Sequence, residues 1–463
     1  MTETIAEMVL PGTYIEVRAE GLIGAGAIAT GNIGVVGTAT RGNANTVRSL
    51  GSYSDALEMF GMYGSYATND GDPPPHTLVR SLEQIFIGGG QNVFAVRVAN
   101  GTPAAASTVV KGGGNSNAFT LNAVDPGSWA NGITYSVTQD DGDSGPYKLV
   151  LTGPRGKETF AGVDAAEVAG ALAGSRLVKV DGKPGAGTKL KVAEGKLDGG
   201  SDGGNVTSKD IQAGLAALEG WPVNIVLVAG VGANVALAPL QSHLERTQGE
   251  GRERIGILGA RSSDPAEVAA DSPNDGRIVH VAPGLLVTDT NGQTVALPPA
   301  YTAALVAGRL STLAPQVSLT NKTLPVEDLD DSKFSSTDYQ TLLQKNVLLV
   351  RRKFGFQVVK GITSDTGAFK QISVRRIVDY AKAGVRAGAD AYIGRLNNVR
   401  VRGALKATLD GFLSQMVLDE MLVGYTLDVS ATRAQEVNGI CTVTMTLLPT
   451  FSIDYIRVTI NLQ

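Results

Sequence analysis

The sequence predicts an α/β protein in which a parallel, doubly wound sheet is interrupted by a separate β-rich segment. Short apolar strands alternate with helices over residues 33–98 and again over 209–281, and this alternation is typical of parallel sheets covered by helices. Between them, residues 101–207 carry short alternating stretches separated by Gly, Asp and Ser. Because both α/β pieces have the same rhythm, we expect them to share one sheet.

The first α/β piece has the pattern of one β-α-β unit. Its longer helix is the clearer one, because apolar residues recur on one face. Thr77 is a good N-cap for that helix and Gly88-Gly89-Gly90 can end it. The predicted elements are strands Ile33–Val36 and Val93–Val98 and helices over 53–60 and 77–87.

The segment 101–207 is predicted to be an inserted β-rich domain. Turn sequences such as DDGDSG at 140–145 separate its strands, and GGSDGG at 199–204 marks its end. The predicted elements are strands Phe119–Val124, Ile133–Gln139 and Tyr147–Thr152 and one helix, Asp164–Leu172. Because such strands can close on themselves, we expect an exposed domain that a Gly/Ser linker can replace.

The α/β pattern resumes near residue 209. Apolar runs rich in Ile and Val alternate with helical patterns, which favours a parallel sheet. The predicted elements are helices over 209–219, 234–246, 265–270 and 300–311, strands Asn224–Ala229, Ile255–Leu258 and Ile278–Val281, and a hairpin around Asn291-Gly292.

Residues 351–406 carry a strong local charge. They contain thirteen Lys or Arg and three Asp, a local net charge of +10, so the remainder of the chain sums to about −14. Nucleic acid is one candidate partner for this block, but interleaved aromatic residues and a known motif are missing. Acidic protein segments fit the charge better, and residues 1–17 carry three Glu and no base. The amphipathic pattern that follows predicts a helix over 405–423, with Gly424 just after its end.

Both ends of the chain have the pattern of extended strands. Residues 437–448 read VNGICTVTMTLL and residues 453–462 read IDYIRVTINL, with apolar and β-branched residues at period two. Residues 8–17, MVLPGTYIEV, have a shorter pattern of this kind. Such terminal strands favour pairing with other copies of the chain. The residues predicted to make that inter-subunit pairing are Tyr14, Ile15, Val17, Tyr455, Ile456, Val458 and Ile460.

Composition limits the kind of protein. The chain has 463 residues, 43% hydrophobic and 18% charged, which fits a globular protein of several domains. The net charge of −4 gives no reason to expect nucleic acid or an anionic membrane as a partner. Cys441 is the only cysteine, and neither a signal sequence nor a membrane-length apolar run occurs. We therefore expect a soluble protein made in a reducing cytoplasm.

An α/β hydrolase with a β-rich insertion is the alternative to an assembly protein. The chain offers His76, His243 and His280, but it has no G-x-S-x-G sequence, and no histidine lies beside a serine-bearing strand end. The bland interpretation, in which these histidines are packing or surface residues, fits better. We predict no catalytic residue.

Ligand motifs are equally weak. Gly24-Ala25-Gly26 is followed by a turn and strand pattern where a dinucleotide site needs a helix, and GKPGAGTK at 182–189 lacks Walker spacing. Asp140, Asp141 and Asp143, and the acidic stretch 327–331, lack the closing glutamate of a calcium loop. We predict no cofactor and no metal site.

Seven segments of the chain, in this order, resemble motifs of the tail sheath proteins of contractile phage tails and related injection machines. No single motif is specific, but their order is, and they cover most of the chain outside 101–207. The segments are LPGTYIEV (10–17), IGVVGTATRG (33–42), FIGGGQNVFAVRV (86–98), PPAYTAALVAGRL (298–310), SLTNKTL (318–324), SVRRIVDY (373–380) and FLSQMVLDEMLVGYTLDV (412–429). The stretch VVKGITSDTGAF at 358–369 departs from the family, which often has Trp and Arg in that turn.

The resemblance implies a subtilisin-like α/β core without its catalysis, a β-sandwich insertion, and a C-terminal α+β domain that faces a rigid inner tube. It implies hexameric rings stacked into a helix, with extended terminal arms paired to the C-terminal domains of neighbours. The implied partners are other copies of the chain, the inner tail tube protein, and baseplate and tail terminator proteins, with no nucleic acid and no membrane. The implied location is a virion tail or injection particle assembled in the host bacterial cytoplasm, where contraction drives the tube through a cell envelope, in phages for genome ejection.

The resemblance divides the chain into six parts. The residues expected to face the tube lie in the basic stretch that leads into the predicted C-terminal helix. These candidates are Arg395, Arg400, Arg402, Lys406 and Asp410. The six parts are an N-terminal arm (1–20), the first part of the core (21–100), the insertion (101–207), the second part of the core (208–345), the C-terminal domain (346–449) and a C-terminal arm (450–463).

Overall fold

The computed structural model describes residues 28–63, 76–140, 145–288 and 292–462. The first part of the core contains β1 (Ile33–Gly37), β2 (Val47–Leu50), α1 (Tyr53–Phe60), α2 (Thr77–Ile87) and β3 (Val93–Arg97). The predicted β-α-β order and both predicted helices are confirmed. Strand β2, which lacks a clear apolar alternation, was missed; it pairs antiparallel with β3.

The amino end of α2 differs from the prediction. His76 is the N-cap residue and Thr77 is the first residue of the helix, so Thr77 is not the cap. The Oγ1 atom of Thr77 lies 3.2 Å from Oγ1 of Thr38 and accepts the backbone N–H of Thr38 at 3.3 Å. The Thr77 hydroxyl therefore joins the helix to the turn after β1.

The segment 101–207 folds into two antiparallel sheets with a shared apolar interior. Its elements are β4 (Ser107–Lys111), β5 (Asn117–Ala123), β6 (Thr134–Gln139), β7 (Tyr147–Gly153), β8 (Gly156–Gly162), α3 (Ala165–Ala171), β9 (Val178–Asp181) and β10 (Ala193–Lys196). The sheets have the orders β10-β6-β7-β8 and β4-β5-β9, and Leu121, Val137 and Leu149 are fully buried in one cluster between them. The predicted strands and helix are confirmed. Strands β4, β8, β9 and β10, which are short or polar, were missed.

Two ion pairs and an antiparallel stem attach this insertion to the core. The stem pairs Asn100 with Gly204, Ala104 with Ser201 and Ser107 with Asp198. Arg97 is fully buried at the end of β3, and its Nη2 donates to Asp202 Oδ1 at 2.9 Å. Arg41 donates to Asp125 at 2.9 Å. Because an unpaired buried charge is strongly destabilising, the acids of the insertion stabilise the adjacent core.

The second part of the core supplies most of the large sheet. Its elements are α4 (Ser208–Ala217), β11 (Ile225–Val228), α5 (Ala233–Gly249), β12 (Ile255–Gly259), α6 (Pro265–Ala270), β13 (Ile278–Ala282), β14 (Gly284–Thr288), β15 (Thr294–Leu297), α7 (Pro299–Ser311), β16 (Thr323–Leu324), β17 (Asp328–Asp330), α8 (Ser336–Gln344), β18 (Leu348–Arg352) and β19 (Phe356–Val358). Every helix and strand predicted over 209–311 is present, and β14 and β15 form the predicted hairpin. The elements from β16 to β19 were not predicted.

One nine-stranded sheet joins the two parts of the core across the insertion, as the common rhythm predicted. Its order is β16-β19-β18-β13-β12-β11-β1-β3-β2. Ile33 of β1 pairs in parallel with Ile225 of β11 on one side and with Val93 of β3 on the other. The central strands are parallel, and antiparallel strands close both edges. The predicted mixed α/β architecture is confirmed.

Helices cover both faces of this sheet. On one face, Ile33 and Leu227 belong to the apolar cluster that includes Leu82 of α2 and Leu305 of α7. On the other face, Val226 packs in the cluster formed with α4 and α5. The strands are therefore apolar on both sides, which explains why they read as continuous hydrophobic runs. Across the described parts of the chain, no helix combines the length and apolarity needed to cross a bilayer.

The C-terminal region contains two long helices beneath a two-stranded sheet. Its elements are α9 (Ile372–Asp390), α10 (Val399–Leu418), β20 (Leu422–Ser430), α11 (Arg433–Val437) and β21 (Thr442–Pro449). Helices α9 and α10 approach closely at Gly384, where a Cβ atom would lie 1.9 Å from Cζ of Phe412. Leu409 and Leu413 of α10 are fully buried.

The helix predicted over 405–423 has different ends. It begins six residues earlier, at Val399, and Asn398 accepts the backbone N–H of Val401 at 2.9 Å as the N-cap. It ends at Leu418, where Glu420 has a φ of 59°. Gly424 was assigned to the helix end, which is wrong, because it lies within β20. The reversal uses Glu420 in the left-handed conformation, and that residue type gives no C-cap signal in the sequence.

Candidate assembly surfaces

The sheet β20–β21 has one apolar face and one polar face. Tyr425 pairs with Leu447, Leu427 with Met445, and Val429 with Val443. All of these except Met445 lie in the clusters formed with α9 and α10. The opposite row contains Thr426 with Thr446 and Asp428 with Thr444. The alternation predicted for this part of the chain therefore buries one face against the helices of the same subunit.

From the sequence we expected the run 437–448 to pair with other chains. In the structure it is not free to do so. Its amino end belongs to α11, and Thr442–Pro449 forms β21, which pairs along its length with β20 of the same chain. Strand β20 contains Gly424, which is unfavourable in a strand, and it follows directly on a helix. For these reasons its sequence did not identify it as the partner of β21.

The outer edges of this small sheet have no partner strand within the described residues, where β20 and β21 pair only with each other. An edge strand presents unpaired backbone N–H and C=O groups, which is a template for an added strand. In the described part of the chain, each strand therefore has one edge available to a segment of another chain.

Most of the segment 453–462 is exposed. No helix or strand is assigned to it, and Ile456, Val458, Ile460 and Leu462 are between 73% and 94% exposed. In an extended chain these four apolar side chains share one face, with Arg457 on the other. Single exposed apolar residues are ordinary, but an exposed apolar row is typical of an interaction surface.

The N-terminal candidates Tyr14, Ile15 and Val17 lie outside the described residues.

The basic candidates near the start of α10 differ in their surroundings. Arg402 Nη1 donates to Glu436 Oε1 at 2.9 Å, and its side chain is largely buried. Arg400 is exposed. Arg395 is also exposed, and its Nε donates to the carbonyl of Ala391 at 3.1 Å. Arg402 therefore forms an ion pair within the domain, whereas Arg395 and Arg400 present their charge to solvent.

The remaining two basic-stretch candidates contact the small sheet. Lys406 Nζ lies 4.0 Å from Asp428 of β20, and both side chains are about half exposed or more. Asp410 Oδ1 accepts the hydroxyl of Tyr425 at 2.7 Å. These residues connect the outer face of α10 to β20.

The loop between α9 and α10 adds an apolar feature that the sequence analysis missed. Ile393, Leu396 and Val399 are each about four-fifths exposed (81%, 78% and 78%). Arg395 and Arg400 lie among them, so apolar and basic side chains share one tip of the domain. The irregular spacing of the apolar residues fits neither a strand nor a helix face. The one sign in the sequence that these side chains are exposed is their place beside Gly394 in a short loop.

Paired arginines dock α9 onto the α/β core. Arg375 donates to Asp379 at 2.7 Å. Arg277 of the core donates two hydrogen bonds to the same carboxylate, at 2.9 and 3.0 Å. Arg376 is buried and donates to the carbonyl groups of Thr30, Leu313 and Ala314. Burial lowers the pKa of Arg376 to about 10, so the guanidinium remains charged at neutral pH. The arginines of the SVRRIVDY segment thus join three parts of the chain.

Ser128, Asp202 and His76 come together where the insertion meets the core. Ser128 Oγ donates to Asp202 Oδ2 at 2.5 Å, and His76 Nε2 lies 3.8 Å from the same oxygen. A triad needs the serine hydroxyl to donate to the imidazole, whereas the Ser128 hydroxyl donates to the carboxylate. His243 and His280 are fully buried, and burial lowers their pKa values to about 3 and about 4. In the ranges 28–63, 76–140, 145–288 and 292–462, no group of three or more metal-ligand side chains converges.

Sequence and structure comparisons agree on one family. Residues 204–364 match the family model of the phage tail sheath protein central domain, and residues 364–463 match that of the phage tail sheath C-terminal domain. The fold is similar to the sheath tail protein of Desulfitobacterium hafniense at 17% identity and a TM-score of 0.67, covering 95% of this chain and 100% of that one. The corresponding values for the sheath tail protein of Listeria innocua are 15%, 0.64, 93% and 98%.

A contracted assembly provides a third comparison. The helical sheath of the anti-feeding prophage in its contracted state is 14% identical, with a TM-score of 0.59 and coverage of 99% of both chains. No curated protein sequence matches the chain. The two family models together span the second part of the core and the whole C-terminal region, and the similar folds extend over the rest. The chain therefore belongs to the phage tail sheath protein family, which serves phage tails and contractile injection systems.

Proposed function

We propose that the chain is the structural subunit of a contractile sheath, which polymerises as stacked hexameric rings around an inner tube and contracts to drive the tube through a target cell envelope. The observation that carries this proposal is the segment 453–462, an exposed and regularly alternating strand sequence, together with a small sheet whose edges have no partner strand among the described residues. Membership of the sheath family supports it. Baseplate and tail terminator proteins are the partners proposed for the two ends of the polymer.

The arm 453–462 of one subunit is proposed to extend the sheet β20–β21 of a neighbour. Its apolar row, Ile456 to Leu462, would continue the inward row that contains Leu427 and Met445. Its polar row would then continue the outward row, which places Arg457 on the same face as Asp428. The alternation fixes which face of the arm turns inward, because a shift of the register by one residue would turn the apolar row to solvent. The N-terminal arm, with Tyr14, Ile15 and Val17, is proposed to act in the same way.

The tip formed by the α9–α10 loop and the start of α10 is proposed to face the tube. Arg395 and Arg400 are exposed there among three exposed apolar residues. Exposed ion pairs contribute only about 0–1 kcal/mol each, but they add up over many subunits and can separate during contraction. Lys406 and Asp410 remain candidates at the edge of this surface, whereas Arg402 is assigned to the inside of the domain.

The α/β core is proposed to be a subtilisin-like layer that has a structural role and no catalysis. The hydrogen bond from the Ser128 hydroxyl to Asp202, and the burial of His243 and His280, support this view. The insertion and the terminal arms are proposed to have the limits expected from the sequence. The assembly site is proposed to be the bacterial cytoplasm, before the particle carries the sheath as part of its tail.

Electron microscopy of the purified protein in negative stain tests this function. Helical tubes or stacked rings with six-fold end views are expected as the protein concentration rises. Uniform particles of monomer size at all concentrations, with or without a tube protein, would contradict the proposal and favour an α/β enzyme.

A further inference from the structure

The C-terminal arm leaves the body of the subunit at Asp454. The Asp454 side chain is 11% exposed, whereas Ile453 and Tyr455 on either side are 79% and 82% exposed. Three donors from three separate segments hold its carboxylate. They are Lys360 Nζ at 3.2 Å, Gln371 Nε2 at 3.2 Å and Thr320 Oγ1 at 3.3 Å.

A second set of bonds holds the residue before the arm turns outward. Gln371 Oε1 accepts the backbone N–H of Ser452 at 3.1 Å, and Gln371 Nε2 donates to the Ser452 carbonyl at 3.3 Å. The side-chain amide thus pairs with Ser452 as a neighbouring strand would. Gln371 occupies the N-cap position of α9 but makes no cap bond. Its amide is committed to the arm.

Lys360 completes the arrangement from the edge of the large sheet. Its Nζ lies 4.9 Å from the ring centroid of Tyr455 and 3.4 Å from the Tyr455 hydroxyl. Burial disfavours the charge on Lys360, but the Asp454 carboxylate outweighs burial, so the pKa of Lys360 is raised. A charged bond among partly buried groups is stronger than an exposed ion pair.

We propose that Asp454, with Lys360, Gln371 and Thr320, forms an exit clamp that fixes where and in which direction the C-terminal arm leaves the subunit. Asp454 is then a positioning residue for the delivery of the arm to a neighbour. Residues 455–463 span about 30 Å when fully extended. An arm held at its root searches a smaller volume, which raises its effective concentration at the neighbour's sheet edge.

The clamp itself is a property of one subunit and is tested on the monomer. Cys441 is exposed and is the only cysteine in the sequence, so Arg457→Cys supplies a second site for a pair of spin labels. The distance distribution between the labels should be narrow, and Asp454→Asn should broaden it while the subunit remains folded. Asp181→Asn, which removes an exposed carboxylate of the insertion, is the matched control and should leave the distribution unchanged. An equally narrow distribution in Asp454→Asn and in a second variant, Lys360→Met, would overturn the clamp.

The consequence for assembly rests on the proposed function and has its own readout. Sedimentation of the unlabelled protein should show that Asp454→Asn raises the threshold concentration for polymerisation on the order of tenfold. The exchanged pair Lys360→Asp/Asp454→Lys should bring the threshold concentration most of the way back to the wild-type value. An unchanged threshold in Asp454→Asn would refute a positioning role. If the wild-type chain itself never polymerises, the proposed function fails, while the label distances still decide whether the clamp exists.

Discussion

Buried arginines join segments that are far apart in this chain. Arg97 binds the insertion through Asp202, Arg277 binds α9 through Asp379, and Arg376 binds the carbonyl groups after α7. Arg254 is also buried and donates to three carbonyl groups between α4 and β11. A guanidinium has five donors in a fixed plane, so one residue can satisfy several acceptors at once. Removal of either partner would leave an uncompensated group in the interior.

Acid should weaken the subunit through His280. The folded pKa of His280 is lowered to about 4 by burial, whereas an unfolded histidine has a pKa of about 6.5. The unfolded state therefore binds the proton first, and stability is lost as the pH falls from about 6.5 towards 4. We expect His280 to account for a loss of about 2–3 kcal/mol between pH 7.5 and 4.5. Urea unfolding of the wild type and of His280→Leu at both pH values measures it.

The comparison of the two proteins isolates this histidine from the others. His243 and the carboxylates titrate in both, so the residual pH dependence of His280→Leu belongs to them. An identical loss in the two proteins would show that His280 does not titrate in this way.

At the residue scale, the sequence revealed which residues are unusual but not what they contact. The pair Arg375-Arg376 was found through its resemblance to the family motif. The partners of Arg376 could not be predicted, because Leu313, Ala314 and Thr30 act through backbone carbonyl groups. Backbone acceptors carry no sequence signal. The internal pairing of Arg402 with Glu436 was missed for a related reason, since α11 was not predicted.

Among the elements, the C-terminal arm has the clearest role in assembly. Deletion of 453–463 should leave a folded monomer that does not polymerise, because residues 455–462 are exposed. Thermal melting should still show a cooperative transition, and light scattering should show no growth of polymer. The substitution Arg457→Ala, which keeps the apolar row, is the control and should still polymerise. Normal polymer formation by the truncated chain would contradict the arm's role.

The tip of α10 and its preceding loop should govern attachment to the tube. The double change Arg395→Glu/Arg400→Glu reverses two exposed charges, so the sheath should polymerise alone but fail to assemble around the tube. Wild-type assembly around the tube should weaken as salt rises, since exposed ion pairs are screened. Cosedimentation with tube protein measures both.

Arg402→Glu provides the contrast for that experiment. It breaks the internal pair with Glu436, so it should lower the melting temperature, which the double change should not do. If Arg395→Glu/Arg400→Glu also abolishes polymerisation of the sheath alone, this surface belongs to contacts between subunits.

Elements with strong local patterns were predicted well, and those set by tertiary contacts were not. Helices α2 and α7 and strands β1, β11, β12 and β13 have clear periodicity and clear ends, so their positions were close to correct. The end of α10 was misplaced because Glu420 adopts a conformation that usually selects glycine. Strand β21 was recognised as a strand, but its partner could not be deduced because pairing depends on the packing of both strands against α9 and α10.

On the scale of the whole molecule, the insertion should be separable from the core if the cut spares Asp202. Replacement of 108–197 with a Gly/Ser linker keeps the antiparallel stem and the carboxylate that pairs with Arg97. This variant should fold and polymerise. Replacement of all of 101–207 removes the carboxylate as well, and we expect it to cost about 3–5 kcal/mol, because Arg97 loses its charged partner. Urea unfolding and electron microscopy measure the two effects.

Equal stability of the two deletion variants would show that Asp202 is dispensable, and failure of both to fold would show that the insertion is integral to the core. The shared sheet itself was predictable, since apolar strands of one kind occur on both sides of the insertion. The manner of attachment was not, because Arg97 and Asp202 lie on opposite sides of more than a hundred residues.

The same interruption sets the order of events during synthesis. Asn32 and Asn224, which hydrogen bond at the start of β1 and β11, are 192 residues apart in sequence. A ribosome adds roughly 5–20 residues per second, so about 10–40 s pass before β1 can meet β11. The insertion has a complete interior of its own and can fold during this interval. During this interval β1 and β3 lack the helices α4 and α5, which cover one face of the sheet in the folded protein. These two strands are therefore the part of a nascent subunit most exposed to misassociation, long before the chain meets a second copy of itself.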